Sequence, residues 1–431
     1  MLFQKLFKRS GKKTYPIKKN INRGIDPLCI EIVKQLQKSG YESYVVGGCV
    51  RDLLLENKPK DFDIATAASP QVVRSLIKRS FIIGRRFKIV HAKTRYRSHE
   101  YRQCSAKYFP IIYTRPIDHI YEITTFRRKP EMVNDAINEN VYGGPKEDAF
   151  RRDFTLNGLF FDPVKSEVVD YVDGMSDLKN KSLRIIGDPK TRFAEDPIRI
   201  LRALRFAAKK DFTIDKKTQK GILSTCNLVA SAKRERIREE VLKLLKSGHM
   251  HSVLERYQKF NIWPQLSKSF DLSSKEKYQE LSSITKAIQS HKWENPHKLA
   301  PLFYLLLSPF FDINRQPLLL EKFTVDFRIF KSEAEDIARI HNFLKKLKRH
   351  INKPLSLSSL CKTEANIDLA IQSFYVLFVL AEAKIKPFQQ IWQHYSKDWR
   401  DFAGTLKFNQ LNASLVQKKK RKRSSSRRRK R

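Results

Sequence analysis

Asp61 and Asp63 stand two residues apart in Lys60-Asp61-Phe62-Asp63-Ile64, shortly after the β-prone run Tyr44-Val45-Val46 ends on Gly47-Gly48. A strand sends alternate side chains to opposite faces, so the two carboxylates project together while Phe62 and Ile64 turn toward a core. Two acids on one face repel unless a cation lies between them, and such hard oxygen donors, with room left for phosphates, suit magnesium. Glycines at a strand-to-helix turn let the backbone approach a phosphate, and the helix N-terminus that follows offers free N–H donors. Taken singly, Asp-x-Asp reads as a solvated strand edge and Gly-Gly as a turn. Together at short range they point to a metal- and phosphate-binding site.

The pattern around them predicts a two-part chain. A helical pattern from Asp26 to about Ser39 is followed by the strand-like Tyr44–Val46, the helix-like CVRDLLLE, and further β-prone runs in DFDIAT, FKIVHA, HIYEITTF and EVVDYV. Strands alternating with helices predict a compact α/β or α+β catalytic domain. After about Pro189, Leu, Ile, Ala, Lys and Arg at helical spacing take over, and the chain reads as all-helical to about Phe408, with a break near Ser247–His251. No internal repeat is visible.

Charge narrows the partners. Against 45 acids the chain sets 86 Lys and Arg, a net +41, and only eleven of these cations lie in the acid-free run Lys418–Arg431. The body is therefore basic as well as the tail, which favours polyanions through phosphate neutralisation and counterion release. The tail itself reads as disordered, since like charges repel. The five cysteines (Cys29, Cys49, Cys104, Cys226, Cys361) form no CxxC pair, so neither a zinc site nor a disulfide framework is indicated and a reducing cytoplasm is the expected home. No apolar stretch is long enough to span a bilayer. The basic N-terminus has three readings: a transit peptide, a membrane-surface helix, or a flexible RNA-contacting arm.

Three later segments carry more polar chemistry. Glu122 lies mid-strand in Tyr121-Glu122-Ile123-Thr124-Thr125-Phe126-Arg127, where an acid faces either metal or water; both readings stay open. In Glu147-Asp148-Ala149-Phe150-Arg151-Arg152-Asp153-Phe154-Thr155-Leu156-Asn157, Asp153 and Asn157 would share a helix face. They could grip a ribose and base, but the segment alone reads as a polar surface turn. In Glu195-Asp196-Pro197-Ile198-Arg199-Ile200-Leu201-Arg202-Ala203-Leu204-Arg205-Phe206, Pro197 suits the first helical position and makes Asp196 the N-cap. Arg199, Arg202 and Arg205 then form one stripe, which by itself reads as a solvated face, although an acceptor beside an Arg fork can also read a nucleobase edge.

Taken in order, VVGGCVRD, KDFDIAT, RRDFTLNGL and EDPIRILRALRFA resemble the first motif, metal motif, nucleotide-binding motif and base-selecting helix of the class II tRNA nucleotidyltransferase and poly(A) polymerase family. The resemblance covers about Tyr44 to Ala208. It implies an α+β fold: a small mixed-sheet, polymerase-beta-like nucleotidyltransferase head followed by an all-helical neck, body and tail. The implied divisions are a basic disordered arm (1–25), the head (26–186), a neck for nucleotide selection and RNA binding (187–248), a body that binds RNA (249–410) and a basic disordered tail (411–431). By the same resemblance, Asp61 and Asp63 hold Mg2+; Glu122 is the third catalytic carboxylate, with Asp153 competing for catalytic importance; Gly47, Gly48, Arg51 and Asp52 lie near the ribose or triphosphate; Arg152 and Asn157 belong to the nucleotide site; Asp196 and Arg199, with Arg202 and Arg205 on the same helix, address the incoming base.

Ile82-Ile83-Gly84-Arg85-Arg86-Phe87-Lys88-Ile89-Val90-His91 resembles a signature of the poly(A) polymerases, and the doubled arginine Arg85-Arg86 adds cationic grip on RNA or triphosphate. The Arg-rich tail points the same way, and no His-Asp dyad of an appended phosphohydrolase domain is present. The resulting expectation is a poly(A) polymerase acting on RNA 3′ ends with ATP. CCA addition to tRNA is the nearer alternative, and a non-catalytic RNA-binding protein on the same scaffold the distant one. RNA-decay proteins, RNA or an anionic surface are the partners expected for the rest of the chain and its tail. One departure from the family pattern is Ala92–His119 between two strands, long and rich in Arg, Lys and Tyr, which reads as an RNA-contacting insertion or a solvated loop.

Overall fold

The computed structural model describes residues 11–17, 24–59, 61–84, 88–102, 113–128, 142–267, 272, 274–291, 299–310, 313–314, 320–351 and 364–402. Arg85 and Arg86, the first ten residues and the tail from 403 onward lie outside them. The chain divides into two compact units, Met1–Glu100 with Arg115–Ser231, and Tyr101–Thr114 with Ala232–Arg431.

The first unit is built on β1 (Lys13–Pro16), β2 (Ser43–Val46), β3 (Asp63–Thr66), β4 (Ser80–Ile83), β5 (Ile89–Arg102), β6 (Tyr113–Thr125), β7 (Leu159–Asp162) and β8 (Glu167–Asp170). They form one mixed sheet in the order β1-β8-β7-β2-β3-β6-β5-β4. The β3–β6 pair is parallel, whereas β2 is antiparallel to both of its neighbours, β3 and β7. Helices α1 (Pro27–Lys38), α2 (Gly48–Leu54), α3 (Pro70–Leu76), α4 (Pro145–Arg151), α5 (Gly174–Lys179), α6 (Pro189–Glu195), α7 (Ile198–Lys210) and α8 (Lys216–Thr225) complete it. Alternation decides what each face of the sheet does. Ile64, Val90, Ala92, Tyr121 and Ile123 are buried on one face. On the other, Tyr44, Val46, Ala65, Phe126, Phe150 and Phe160 build a second apolar cluster, which stops short of Asp63.

Several expectations need amendment. The arm does not run unbroken to residue 25: Lys13–Pro16 is an edge strand antiparallel to β8, because β8 otherwise offers an open row of backbone donors and acceptors. Ala92–His119 is not a simple loop: β5 continues to Arg102 and β6 begins at Tyr113, so most of the extra length extends a β-ribbon. Among the described residues the helical part is interrupted only by β10 (Thr213–Ile214), parallel to β9 (Ser182–Leu183). Finally, the first unit keeps α6–α8 of the expected neck, and side-chain contacts described below tie α6 and α7 to the head.

From Ala232 onward the regular elements of the second unit are helices among the described residues. Its α9 (Arg234–Leu245) and α10 (Met250–Lys259) flank the anticipated break, and the helix Ala300–Leu307 is buried along its whole length, as its unbroken apolar sequence demands. Among the described residues no helix is long and apolar enough to cross a membrane, and Cys29, Cys49 and Cys226 are free thiols.

Candidate active site

β2 delivers the chain to Gly47, whose φ of 82° and ψ of −140° fall in a region open almost only to glycine. A side chain there would also lack room: a Cβ would meet Arg152 Nη1 at 3.2 Å and Asp63 Oδ2 at 3.7 Å. The turn thus exists to bring backbone beside a carboxylate and a guanidinium. Replacing Gly47 with alanine should lower kcat/KM for the nucleotide about 100-fold, since displacements near 1 Å at a reacting centre cost that much; steady-state kinetics checks it.

Asp63 opens β3 and lies in register with Glu122 on β6, so both carboxylates share one face. The Asp63 carboxyl is pushed up to about 6, first by burial and then by Glu122 and Asp61, against the opposing pull of Arg152. Asp61 precedes the strand and is exposed. Three acids thus crowd one place without a compensating charge for each, which is the electrostatic condition of a divalent-cation site. Their side chains do not yet close on one point: among the described residues no three carboxylate, His or Cys groups form a preformed metal cluster.

Beside Asp63 stands a network of arginines. Arg152 donates from Nε and Nη2 to Asp148 Oδ2 at 3.1 and 2.8 Å, and its guanidinium lies 5.1 Å from the Phe160 ring. Arg51 is buried; it donates to Asn157 Oδ1 at 2.6 Å and, through Nε and Nη2, to Asp52 Oδ1 at 3.0 and 2.9 Å. The amide of Asn157 in turn donates to Asp153 Oδ1 at 2.8 Å.

Asp153 and Asn157 therefore meet, but not on a helix. α4 ends at Arg151, and a single tight turn, Thr155–Asn157, brings the amide back. Nor is the segment a surface turn, since Thr155, Leu156 and Asn157 are buried. Asp153 has both oxygens engaged: Oδ1 also accepts from Phe154 N, and Oδ2 accepts two bonds from Arg202. Burial alone would raise its carboxyl, but Arg202, Asn157 and the Phe154 N–H together hold it below the usual range. With its lone pairs so occupied, Asp153 positions Asn157 and Arg202 and is poorly placed to be a third metal ligand.

The helix expected from Pro197 onward is present with a shifted start. Pro197 takes the capping position and α7 begins at Ile198, whose N–H donates to Asp196 Oδ1 at 3.2 Å; helix ends commonly move by one residue. The arginine stripe is not solvated. Arg202 is spent on Asp153, Arg205 is buried, and Arg51, Arg202 and Arg205 lie 5.1, 5.4 and 4.6 Å from the ring of Phe206. Arg199 donates to the Arg192 carbonyl at 2.7 Å and to Glu195 at 3.0 Å, with Asp196 Oδ2 4.0 Å away.

Sequence reasoning missed four groups here. Asp148 was visible as the acid four residues before Arg152 on one helix face. Phe160 and Phe206, which carry the guanidinium planes, look like ordinary core residues. Arg192 is the fourth: buried, it donates to the carbonyls of Arg151 and Arg152 at 2.9 Å each and to Glu195, fastening α6 to the end of α4.

Comparison with known proteins agrees with this architecture. The profile described as "Poly A polymerase head domain" matches residues 43–184, and that described as "Probable RNA and SrmB- binding site of polymerase A" matches residues 211–272. The sequence is similar to poly(A) polymerase I of Haemophilus influenzae, 37% identical over 257 residues that cover 56% of this chain and 52% of that protein. It is also similar to the CCA-adding enzyme of Lactobacillus helveticus, 31% identical over 327 residues covering 74% and 71%. The chain spans about half the length of the curated poly(A) polymerases it matches. Among solved structures, the Bacillus stearothermophilus CCA-adding enzyme in complex with CTP has the same fold, with a TM-score of 0.61 at 20% identity over 88% of this chain and 83% of that one.

Proposed function

The chain belongs to the class II tRNA nucleotidyltransferase and poly(A) polymerase family, and on that premise we propose that it is a template-independent poly(A) polymerase adding AMP from ATP to RNA 3′ ends. The observation that carries the reading is the juxtaposition at Asp63: a crowded carboxylate face on one side, and on the other a glycine turn backed by Arg152 and Arg51. Nucleotidyl transfer needs both, one to bring the attacking hydroxyl and α-phosphate together, the other to hold the triphosphate.

The carboxylates of Asp61 and Asp63, with Glu122 beside them, fit Mg2+ in donor type and charge. When bound, such ions activate a 3′-hydroxyl and neutralise charge on the leaving pyrophosphate. The chain's own groups do the rest. Gly47 and Gly48 expose backbone to the phosphates, Arg152 is held by Asp148 at the triphosphate side, and Asn157 fixes Arg51 against the ribose or triphosphate. Asp196 and Arg199 address the base edge; Arg199 would leave Glu195 for it. A choice made by protein side chains is what addition without a template requires. A cytoplasmic location and RNA contact by the basic body belong to the same reading.

Poly(A) is favoured over CCA by the poly(A)-type run Ile82–His91 and by the greater identity to poly(A) polymerases. Primer extension with each nucleoside triphosphate separately, with and without Mg2+, tests both levels. AMP addition alone is the expected result. Incorporation of CMP at a comparable rate would assign the chain to CCA addition, and no transfer of any nucleotide would leave only RNA binding.

A further inference from the structure

The residues in register with Asp63 form a row across the sheet that the proposed chemistry has used only in part. Phe160 of β7 pairs with Val46 of β2, Val46 with Asp63, and Asp63 with Glu122. On the far side of Glu122, His91 of β5 places Nε2 at 3.6 Å from Glu122 Oε1. His91 is in turn in register with Phe81 of β4, their rings 5.6 Å apart and edge to face. Lys93, two residues along β5 and so on the same face, sets its ammonium 5.3 Å from the Phe81 ring. Ile120, two residues before Glu122, leaves its side chain 42% exposed there. His91 Nε2 has no hydrogen-bond partner although it is shielded from solvent.

In-line displacement requires the attacking and leaving oxygens to lie on opposite sides of the phosphorus. Arg152, stacked on Phe160, and Gly47 at the end of β2 occupy the β7–β2 side of Asp63. If the pyrophosphate leaves there, the 3′-hydroxyl must arrive over β6, β5 and β4. That side offers a ring for base stacking and an ammonium for a phosphate, with the His91 imidazole held between the Phe81 ring and Glu122, the combination that binds single strands without reading sequence. Adjacent strands lie about 4.8 Å apart, so Glu122 to Phe81 spans one to two nucleotides. We infer that Phe81, His91 and Lys93 form the track that seats the 3′-terminal nucleotides of the acceptor RNA. This rests on the proposed transfer reaction.

The test is steady-state primer extension with ATP, alongside fluorescence-anisotropy binding of a short oligoadenylate in EDTA without nucleotide. For Phe81→Ala and Lys93→Ala, the KM for primer and the Kd for RNA should rise about tenfold, as the loss of one base stack implies, while the KM for ATP stays within twofold. Phe81→Tyr, which keeps the ring, should restore RNA binding and rule out mere misfolding. A primer abasic at the stacked position should weaken wild type as much as Phe81→Ala and cause no further loss in that variant. Variants that bind and extend RNA as wild type does, or that raise the ATP KM equally, would overturn the track while leaving the transfer reading standing. A wild-type chain that extends no primer overturns the transfer reading itself.

Discussion

Asp63→Asn should abolish primer extension and at the same time make the metal-free protein more stable. The loss of activity, at least about 1,000-fold, follows from removing a charged group at the point where transition-state charge is neutralised. The gain in stability follows from the same geometry. The Asp63 carboxyl is moved from its ordinary 3.8 to about 6 by burial and by Glu122 and Asp61. Below about pH 3 it is protonated whether the chain is folded or not, and it costs nothing. As pH rises from 4 to 6 the unfolded chain releases this proton before the folded chain does, so stability falls. Above that range the penalty is constant, at most about 3 kcal/mol. Thermal melts in EDTA should therefore show little difference between wild type and Asp63→Asn near pH 3 and the largest excess for the variant above pH 6.5. A variant less stable than wild type at neutral pH would mean that Asp63 is a structural acid and not part of an ion site.

The second large effect is expected at Asp153, with the opposite sign for stability. Asp153→Ala removes the acceptor for Arg202, Asn157 and the Phe154 N–H at once, taking the carboxylate out of a largely buried ion pair. Breaking such a pair costs about 3–5 kcal/mol, or a melting temperature lower by about 10 °C for a unit of this size. The pH signature is also reversed. A carboxyl held below its usual range stabilises the fold fully above its unfolded value near 4 and loses that contribution as pH falls through the folded value. Wild type should therefore lose stability on acidification while Asp153→Ala changes less. Activity should fall as well, because Asn157 is no longer held against Arg51; differential scanning calorimetry and kinetics on one preparation separate the two consequences. Together the variants assign different work to two acids that composition cannot distinguish.

Much of the first unit was legible in the sequence because its signals are local. The run Tyr44–Val46, the glycine pair and the acid spacing place β2, the turn and the carboxylate face, and Pro197 marks the start of α7 to within one residue. β4 and β7 were less visible: SFII and LFFD are short apolar runs that periodicity cannot tell from buried helix. β1 was hidden inside a basic segment, since an edge strand needs only a neighbour with free backbone groups. The arginine stripe on α7 was misread as solvated for a related reason. Spacing shows that Arg199, Arg202 and Arg205 share a face; it does not show that the segment after α4 is folded against that face.

The sequence by itself determined the chemistry available to this protein: two acids at the start of one strand, glycine where only glycine's backbone is allowed, and an excess of cations that favours a polyanionic partner. These depend on residue type and on separations of a few positions, where covalent geometry governs. Only the tertiary structure decided which groups work together. Glu122 reaches Asp63 through a parallel pairing across 58 intervening positions, and His91 and Phe81 extend the same row from the other side. Asp153 read as a rival to Glu122 for catalytic importance, yet its oxygens accept from Arg202, Asn157 and the Phe154 N–H, so its charge holds the site in shape. Asp61 and Asp63 supply the carboxylates at the centre; strand register, which no local pattern encodes, sets what stands on either side of them.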